Sequence, residues 1–271
     1  MTPPAGTVQR WAWDFILSEQ LAVKTQPPPL PSTWELQPPV RDRRPGPRPT
    51  ELTVRAKTRT ARAKSLEQPS SRAKLFHSFW HHELQAAELM CWALLRFPES
   101  ERAFHSGLIQ VCQDEIRHMA LYAGHIKELG FSLGDFPVRD WFWERVPTCQ
   151  SAIQYVALMG MGLEAANLDH GATYAAEFDQ VGDSAGAAIQ TRVVQEEIGH
   201  TRFAARWFET WTGSTDFERW QAELPPPLSP LLMRGKSINA SGRRLAGLSE
   251  GFINDLSAWR PVTPRNGSEE S

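Results

Sequence analysis

The pattern Glu-x-x-His occurs twice, each time near the middle of a long stretch with helical periodicity. The first copy is Glu115 with His118, and the second is Glu197 with His200. Residues three apart on a helix lie on one face, so the two side chains of each copy can bind the same ion. One such match is expected by chance in a chain of this size. Two matches, both within predicted helices, favour a fold that brings the two pairs together.

Both pairs lie on apolar faces of their helices. A buried carboxylate without a partner costs several kcal/mol, so the pattern predicts that a pair of divalent cations neutralises these glutamates. The neighbours at helical spacing around the first pair are Phe104, Leu108, Val111, Cys112, Met119, Tyr122 and Ile126, and those around the second are Ile189, Val193, Val194, Thr201, Ala204 and Phe208.

Four long helices are predicted, and they define an all-α fold. Each pair of helices has a short link, with Pro98 ending the first helix and Gly182-Asp183 separating the third from the fourth. The segment 130–150 is long, aromatic and rich in Pro and Gly, which is typical of a crossover between pairs. The predicted helices span residues 72–97, 101–129, 151–179 and 184–212.

The other two helices each offer a glutamate to the same site. Glu164 lies 33 residues before Glu197 on the third helix. On the first helix, Glu83 lies 32 residues before Glu115 on an apolar face, whereas Glu88 lies 27 before it. The short hairpin link places Glu83 level with Glu115. We therefore predict Glu83 as the ligand, with Glu88 as the alternative.

One Glu from each of two helices and Glu-x-x-His from each of the other two is the ligand set of the ferritin-like di-iron and di-manganese carboxylate proteins. Over residues 72–212 the chain resembles that superfamily helix by helix. The segments FHSFWHHELQAAELMCW, DEIRHMALYAGHI, GDFPVRDWFWERVP, QEEIGHTRF and, in the tail, LPPPLSPLLMRGKSIN resemble an uncharacterised branch of it, the domain of unknown function 455. The resemblance implies a ferritin-like four-helix bundle and a metal site, and it brings no substrate.

Carried over residue by residue, the resemblance implies a site of four carboxylates and two imidazoles. Such a hard, anionic set suits iron or manganese and argues against a structural zinc site, and four carboxylates balance two divalent ions. We expect two Fe ions as the cofactor, with Mn or a mixed Fe/Mn pair as the alternative. The implied ligands are Glu83, Glu115, His118, Glu164, Glu197 and His200.

Several neighbours have two interpretations each. Asp114 and Glu196 precede the ligand glutamates and either accept the second N–H of a histidine across the bundle or face solvent. His82 is an extra ligand or, as we prefer, a residue that contacts the ligands from outside or lies on the rim of the site. Tyr122, one turn beyond His118, either relays protons or electrons or packs in the core. Gly160 and Gly162 either open space beside the site or permit close helix packing.

Flanking segments extend the predicted bundle, which spans residues 71–213. Residues 1–70 are predicted to form an extended arm, since nine of the 21 prolines fall within residues 25–50 and eleven Lys or Arg against three Asp or Glu lie between Arg41 and Lys74. This basic stretch is either a nucleic-acid or acidic-partner arm or an extension anchored by Trp34, Leu36 and Leu52. Residues 214–271 form a tail with short helices around FERWQAEL and residues 243–258, ending in a frayed segment, 262–271.

Composition excludes some classes of protein. A formal net charge of −2 excludes a wholly basic nucleic-acid binder, and the short apolar runs predict no transmembrane helix. The N-terminus lacks the features of a signal peptide, and three cysteines are too few for a disulfide framework or a thiolate zinc site. We therefore expect a cytoplasmic protein that does not associate with membranes.

Three functions remain for such a site. The preferred one is an oxidoreductase that activates dioxygen to oxidise an unidentified organic substrate, as a hydroxylase or oxygenase does. It needs an external electron donor, because the sequence has no Gly-rich nucleotide fingerprint and no cysteine cluster. The alternatives are a ferroxidase, peroxidase or iron-handling protein, which acts on iron or peroxide, and a non-catalytic binding module. An RNA base as substrate and a homodimer are further expectations.

Overall fold

The computed structural model describes residues 1–57 and 66–261, and the regular elements in these ranges are helices. Two isolated backbone bridges are the only β-type pairing in the described part of the chain. The all-α prediction is thus confirmed. The α-helices are α1 (Val8–Leu17), α2 (Leu21–Thr25), α3 (Pro69–Arg96), α4 (Arg102–Glu128), α5 (Ala152–Tyr155), α6 (Ala165–Gln180), α7 (Ser184–Thr212), α8 (Phe217–Glu223), α9 (Ala240–Leu245) and α10 (Glu250–Ala258).

The long helices pack in two pairs that form a helical bundle. Helix α3 packs along α4, and α6 packs along α7, with further contact between α4 and α7. Pro69 occupies the first turn of α3, where its missing N–H costs nothing. Asp183 caps α7 by accepting a hydrogen bond from the backbone N–H of Gly186, and Gly213 ends it in the left-handed conformation with φ 79°. The four predicted helices are therefore present, with ends shifted by three residues or fewer.

The third predicted helix is not uniform. Between α5 and α6, residues Val156–Glu164 form a π-helix, a wider and rarer form that is frequent at functional sites. A Cβ added to Gly160 would lie 2.1 Å from the Cβ of Ala204, and one added to Gly162 would lie 2.8 Å from the Sδ of Met233. Both glycines thus permit close packing, by α7 and by the tail respectively.

The N-terminal arm is not extended throughout, so that part of the prediction is wrong. Helix α1 buries Trp11, Trp13 and Phe15 in the same apolar core as the bundle and packs against α3. Thr7 caps it by accepting a hydrogen bond from the N–H of Arg10. Residues 5–26 contain no proline, which leaves VQRWAWDFIL free to form an amphipathic helix.

Of the three side chains proposed to anchor the arm, two are at least partly buried and one is exposed. Leu52 is buried and Trp34 is half-buried, stacked on His105, whereas Leu36 is 94% exposed and anchors nothing. Two arginines of the basic stretch are also buried, because Arg41 and Arg48 pair with acidic side chains. Part of the basic stretch, residues 58–65, lies outside the described residues, so a role in binding RNA or an acidic partner stays a prediction.

The tail packs over the π-helix and α6. Helix α8 occurs where it was predicted, and its Trp220 donates a hydrogen bond to the carbonyl of Ala157 at 2.9 Å. The single helix predicted over residues 243–258 is instead two, since Gly247 adopts φ 93° between α9 and α10. The predicted frayed end, 262–271, lies outside the described residues. Among the helices described, none has the length and apolar character needed to span a membrane.

Candidate metal centre

Six side chains from four elements converge in the middle of the bundle. Helix α3 supplies one glutamate, the end of the π-helix another, and α4 and α7 each supply a Glu-x-x-His pair. Each of the six is at most 4% exposed. Ligand-type atoms of four of them lie within 4.8 Å of one another. Those four are Glu83, Glu115, His118 and Glu197, and the remaining two are Glu164 and His200.

The histidines direct one ring nitrogen into this cluster. Nδ1 of His118 lies 3.1 Å from Oε2 of Glu115 on its own helix. Nδ1 of His200 lies 2.9 Å from Oε2 of Glu197 and 3.0 Å from Oε1 of Glu115, so it joins the two helices. Both Glu-x-x-His pairs therefore meet around one small volume.

The other ring nitrogen of each histidine reaches a carboxylate on the opposite helix. Nε2 of His118 lies 3.0 Å from Oε2 of Glu196, and Nε2 of His200 lies 3.2 Å from Oδ2 of Asp114. Arg117 contacts both of these carboxylates. When a carboxylate accepts the Nε2–H of a neutral imidazole, Nδ1 is left as a lone pair that can bind a metal. The arrangement thus fixes the ring orientation that ligation requires.

The charges of the cluster do not balance without a cation. Burial raises the pKa of Glu83 and Glu164 well above the usual range, and the neighbouring carboxylates add to this. Burial would do the same to Glu115, but the imidazoles of His200 and His118 hold its pKa below the usual value. Conversely, burial disfavours the charged form of both histidines, yet the adjacent glutamates raise their pKa. Without a bound cation, protons on these buried carboxylates and imidazoles must therefore balance the charge of the cluster.

Two buried oxygen atoms in the cluster have no aligned hydrogen-bond partner among the described residues. These are Oε1 of Glu164 and Oε1 of Glu115, the latter 3.0 Å from Nδ1 of His200. A buried polar atom left without a partner costs about 1–3 kcal/mol. A bound cation would remove this cost at both atoms, so the residues present fit a metal centre.

Glu88, the alternative ligand on the first long helix, lies outside the cluster. Its Oε1 lies 2.5 Å from Nζ of Lys24, and both its oxygens lie 2.7 Å from Nη1 of Arg48. The indole N–H of Trp143 donates to its Oε2 at 2.7 Å. These three donors occupy both oxygens of Glu88, and the cations explain why its pKa is lowered although burial would raise it.

The remaining predicted residues lie around the centre. The hydroxyl of Tyr122 is buried and donates to Oε1 of Gln190 at 3.1 Å. Burial and the nearby Glu83 raise the pKa of Tyr122, so the phenol stays protonated. His82 is exposed and stacks on Phe142 with ring centroids 5.1 Å apart, which places it on the rim. The relay role of the tyrosine stays a prediction.

Sequence reasoning missed three polar neighbours of the centre. Arg117 bridges the two outer carboxylates, Gln190 accepts from the tyrosine, and Asn167 donates to Oε1 of Glu197 at 3.3 Å. Arg117 lies inside the first Glu-x-x-His motif, and Asn167 lies three residues after Glu164, so spacing alone could have identified both.

A cavity of about 290 Å³ leads from the surface to the centre, between α3, α6 and the crossover. Glu83 and Glu164 line its inner end. The opening to the surface gives a small molecule a route to two of the candidate ligands. Aromatic side chains form much of the wall, namely Phe79, Trp141, Phe142 and Tyr174.

Comparison with known proteins places this architecture in a family. A family model described as a protein of unknown function, DUF455, matches residues 9–254. The chain belongs to the DUF455 family. A Haemophilus influenzae relative described as an uncharacterized protein is 26% identical over 188 residues, which cover 66% of this chain and 65% of the relative. No solved structure matches the DUF455 chain. The family membership agrees with the resemblance found in the sequence, and it assigns no activity.

Proposed function

We propose that this protein is a di-metal carboxylate oxidoreductase, with two iron ions, that uses dioxygen to oxidise an organic substrate. The observation that carries the proposal is a buried cluster of four carboxylates and two imidazoles at the end of an open cavity. Two helix pairs joined by a long crossover, with this ligand set, are the features of ferritin-like di-iron proteins. Manganese or a mixed pair is the alternative metal content.

The residues that would hold the metals come from both halves of the bundle. Glu83, Glu115 and His118 lie on the first pair, and Glu164, Glu197 and His200 lie on the second. Oxygen-rich ligands with two imidazoles suit iron and manganese. When bound, two ferrous ions supply electrons for the reduction of dioxygen.

The protein's own residues perform the remaining tasks. Asp114 and Glu196 orient the two imidazoles through their Nε2 atoms. Asn167 holds the carboxylate of Glu197 by a hydrogen bond to its Oε1. On the sides away from the cavity, apolar packing excludes bulk water from the cluster, which strengthens these electrostatic contacts. The cavity admits a substrate only at Glu83 and Glu164, so oxidation would occur at that side.

The cavity also favours this function over iron storage or peroxide removal. Ferrous ions and peroxide are small and polar, and neither requires a large opening with aromatic walls. An organic substrate does, because ligand sites are mostly apolar clefts with a few polar groups.

Metal content and dioxygen consumption test the proposal. The protein is purified without oxygen, loaded with Fe(II), and assayed for bound iron, for dioxygen uptake and for new near-ultraviolet or visible absorption. We expect about two irons per chain and a spectral change on adding oxygen. The variant Glu164→Gln should lose iron, whereas Glu177→Gln, on the partly exposed side of α6, should not.

Two results would overturn the proposal. Failure to bind iron or manganese after reconstitution would leave only a binding module. Full iron loading without any reaction with dioxygen would remove the oxidoreductase activity and leave metal binding alone.

A further inference from the structure

The cavity beside the candidate metal centre has no basic residue in its lining. Within residues 1–57 and 66–261, its lining includes no Lys and no Arg. Its only acidic side chains are Glu83 and Glu164, at the inner end. A carboxylate or phosphate inside it would meet no basic side chain and would approach two glutamates. The cavity therefore disfavours the part of any substrate that carries a negative charge.

Neutral hydrogen-bonding groups line the outer part of the cavity. The imidazoles of His82 and His170 and the phenol of Tyr174 have no hydrogen-bond partner in the part of the chain that the structure describes. At pH 8 the imidazole of a histidine is ordinarily uncharged. Each offers one donor and one acceptor in that form, so the wall can bind the polar edge of an uncharged molecule.

The walls are flat as well as apolar. Phe79 and Tyr174 lie with ring centroids 5.1 Å apart, and Trp141 and Phe142 lie 5.6 Å apart. His82 stacks on Phe142 at the same rim. Aromatic faces and edges of this kind pack best against another ring. The volume of about 290 Å³ is at the lower end for ligand cavities, which limits the bound group to one or two rings.

We propose that this cavity binds an uncharged planar aromatic or heteroaromatic group, presented to the metals by the substrate. The fate of that group rests on the proposed function, whereas its binding does not require metal. Neutrality follows from the missing basic residues, planarity from the four aromatic walls, and hydrogen-bonding capacity from the two imidazoles and the phenol.

Three isosteric probes separate charge from shape. Benzamide is neutral, benzoate is anionic and benzamidine is cationic at pH 8, and all three are flat and similar in size. Binding is measured by saturation-transfer NMR and by quenching of tryptophan fluorescence, with iron-loaded anaerobic protein and with metal-free protein. We expect benzamide to bind in both forms, and benzoate to bind at least about tenfold more weakly. In the iron-loaded protein, benzamidine should bind no more tightly than benzamide. Equal binding of benzoate, or tighter binding of benzamidine to the loaded form, would overturn the inference.

A matched pair of substitutions locates the binding. Ser78 lines the cavity, and its hydroxyl donates to the carbonyl of Lys74 at 3.1 Å. Thr191 makes the same contact with Ala187 at 2.8 Å and is exposed on α7. Ser78→Phe should weaken benzamide binding at least about tenfold, and Thr191→Phe should leave it unchanged. Leu232→Trp, at a lining position that is 48% exposed, is a second blocking variant if the first fails to fold.

These measurements distinguish the failure of the cavity inference from the failure of the proposed function. A protein that binds benzamide in a Ser78-dependent manner but takes up no metal keeps the cavity inference and loses the proposed function. A protein that loads iron and consumes dioxygen, yet binds benzamide equally well with Ser78→Phe or Leu232→Trp, loses the inference alone.

Discussion

Glu83 and Glu88 are five residues apart on one helix and both buried, yet they have opposite electrostatic surroundings. Glu83 faces three other carboxylates, which together with burial raise its pKa. Glu88 faces Lys24 and Arg48, which lower its pKa against the effect of burial. Among the residues that the structure describes, Glu83 therefore has no positive partner and can accept a cation, whereas Glu88 already has two.

Replacing each of these glutamates by glutamine should have opposite consequences. Glu83→Gln removes one negative charge from the cluster, so the metal-free fold should be kept while metal content falls. Glu88→Gln leaves the buried ammonium of Lys24 without its carboxylate, whereas Arg48 keeps its ion pair with Asp140, and this should cost about 3–5 kcal/mol of folding free energy. Elemental analysis gives the metal content, and urea denaturation gives the free energy of unfolding.

The reverse pattern would refute this assignment of the first-helix ligand. Suppose that Glu88→Gln lost metal without losing stability, while Glu83→Gln kept its metal. Glu88 would then be the metal ligand rather than a partner in a buried ion pair. A Glu128→Gln variant serves as the control for both, because that side chain is 70% exposed and should change neither quantity.

Metal binding should stabilise the protein more at pH 8 than at pH 5.5. The pKa of Glu83 and Glu164 is raised in the fold, so the metal-free protein loses stability as pH rises above their unfolded value. The pKa of His118 and His200 is also raised, and their contribution is lost as pH rises through the folded pKa. Both effects lower the stability of the metal-free protein as the pH rises from 5.5 to 8.

Thermal unfolding with and without Mn(II), at the two pH values, measures the effect without oxidation. The metal-free melting temperature should fall between pH 5.5 and pH 8, and the shift caused by Mn(II) should grow, with protons released on binding. Glu115, whose pKa is lowered, is ionised at both pH values and contributes no change of stability between them. A metal-free protein of equal stability at both pH values would contradict the charges inferred for the cluster.

The sequence predicted the candidate site better than its surroundings for a physical reason. A helix repeats every 3.6 residues, so the spacing of Glu115 and His118 determines that they share a face wherever the helix lies. A short link likewise aligns two helices, which places Glu83 opposite Glu115. These local rules identify which side chains converge, although they do not show that a metal binds.

Long-range contacts had no such local signal. The partners of Glu88 lie 64 and 40 residues away, at Lys24 and Arg48, within an arm whose basic and proline-rich composition indicated an extended chain. The π-helix that ends at Glu164 packs against α7 and the tail, and such long-range contacts leave no periodic pattern in the sequence. Helix α1 was not predicted, because its amphipathic pattern is only ten residues long and precedes a stretch whose proline-rich composition indicated an extended chain.

Asp114 and Glu196 should control metal affinity without binding metal themselves. Each accepts a hydrogen bond from Nε2 of a candidate ligand histidine, and the loss of such a partner typically weakens metal binding about 10–100-fold. Competition with a chelator should show this weakening in Asp114→Asn and Glu196→Gln, with unchanged metal content at saturation. The control is again Glu128→Gln, which removes a carboxylate–histidine contact with His125 outside the cluster. Affinities equal to that of the control would mean that the carboxylates are only solvated surface groups.

Gly160 should be far less tolerant of a methyl group than Gly162. The added Cβ at position 160 would lie 2.1 Å from the Cβ of Ala204, an atom that cannot rotate away. At position 162 it would lie 2.8 Å from the flexible end of Met233. Gly160→Ala should therefore cost about 1–3 kcal/mol of unfolding free energy through overpacking, and Gly162→Ala should cost less.

A double-mutant cycle tests whether the contact between α7 and the π-helix is the cause. Ala204→Gly removes the opposing methyl group, so Gly160→Ala should cost much less in that background than in the wild type. Urea denaturation of the four proteins gives the coupling free energy, which should favour the double variant. If the two substitutions lowered the free energy of unfolding additively, the cost of Gly160→Ala would arise from the π-helical backbone rather than from the contact with Ala204. Close packing would then not be the reason for a glycine at position 160.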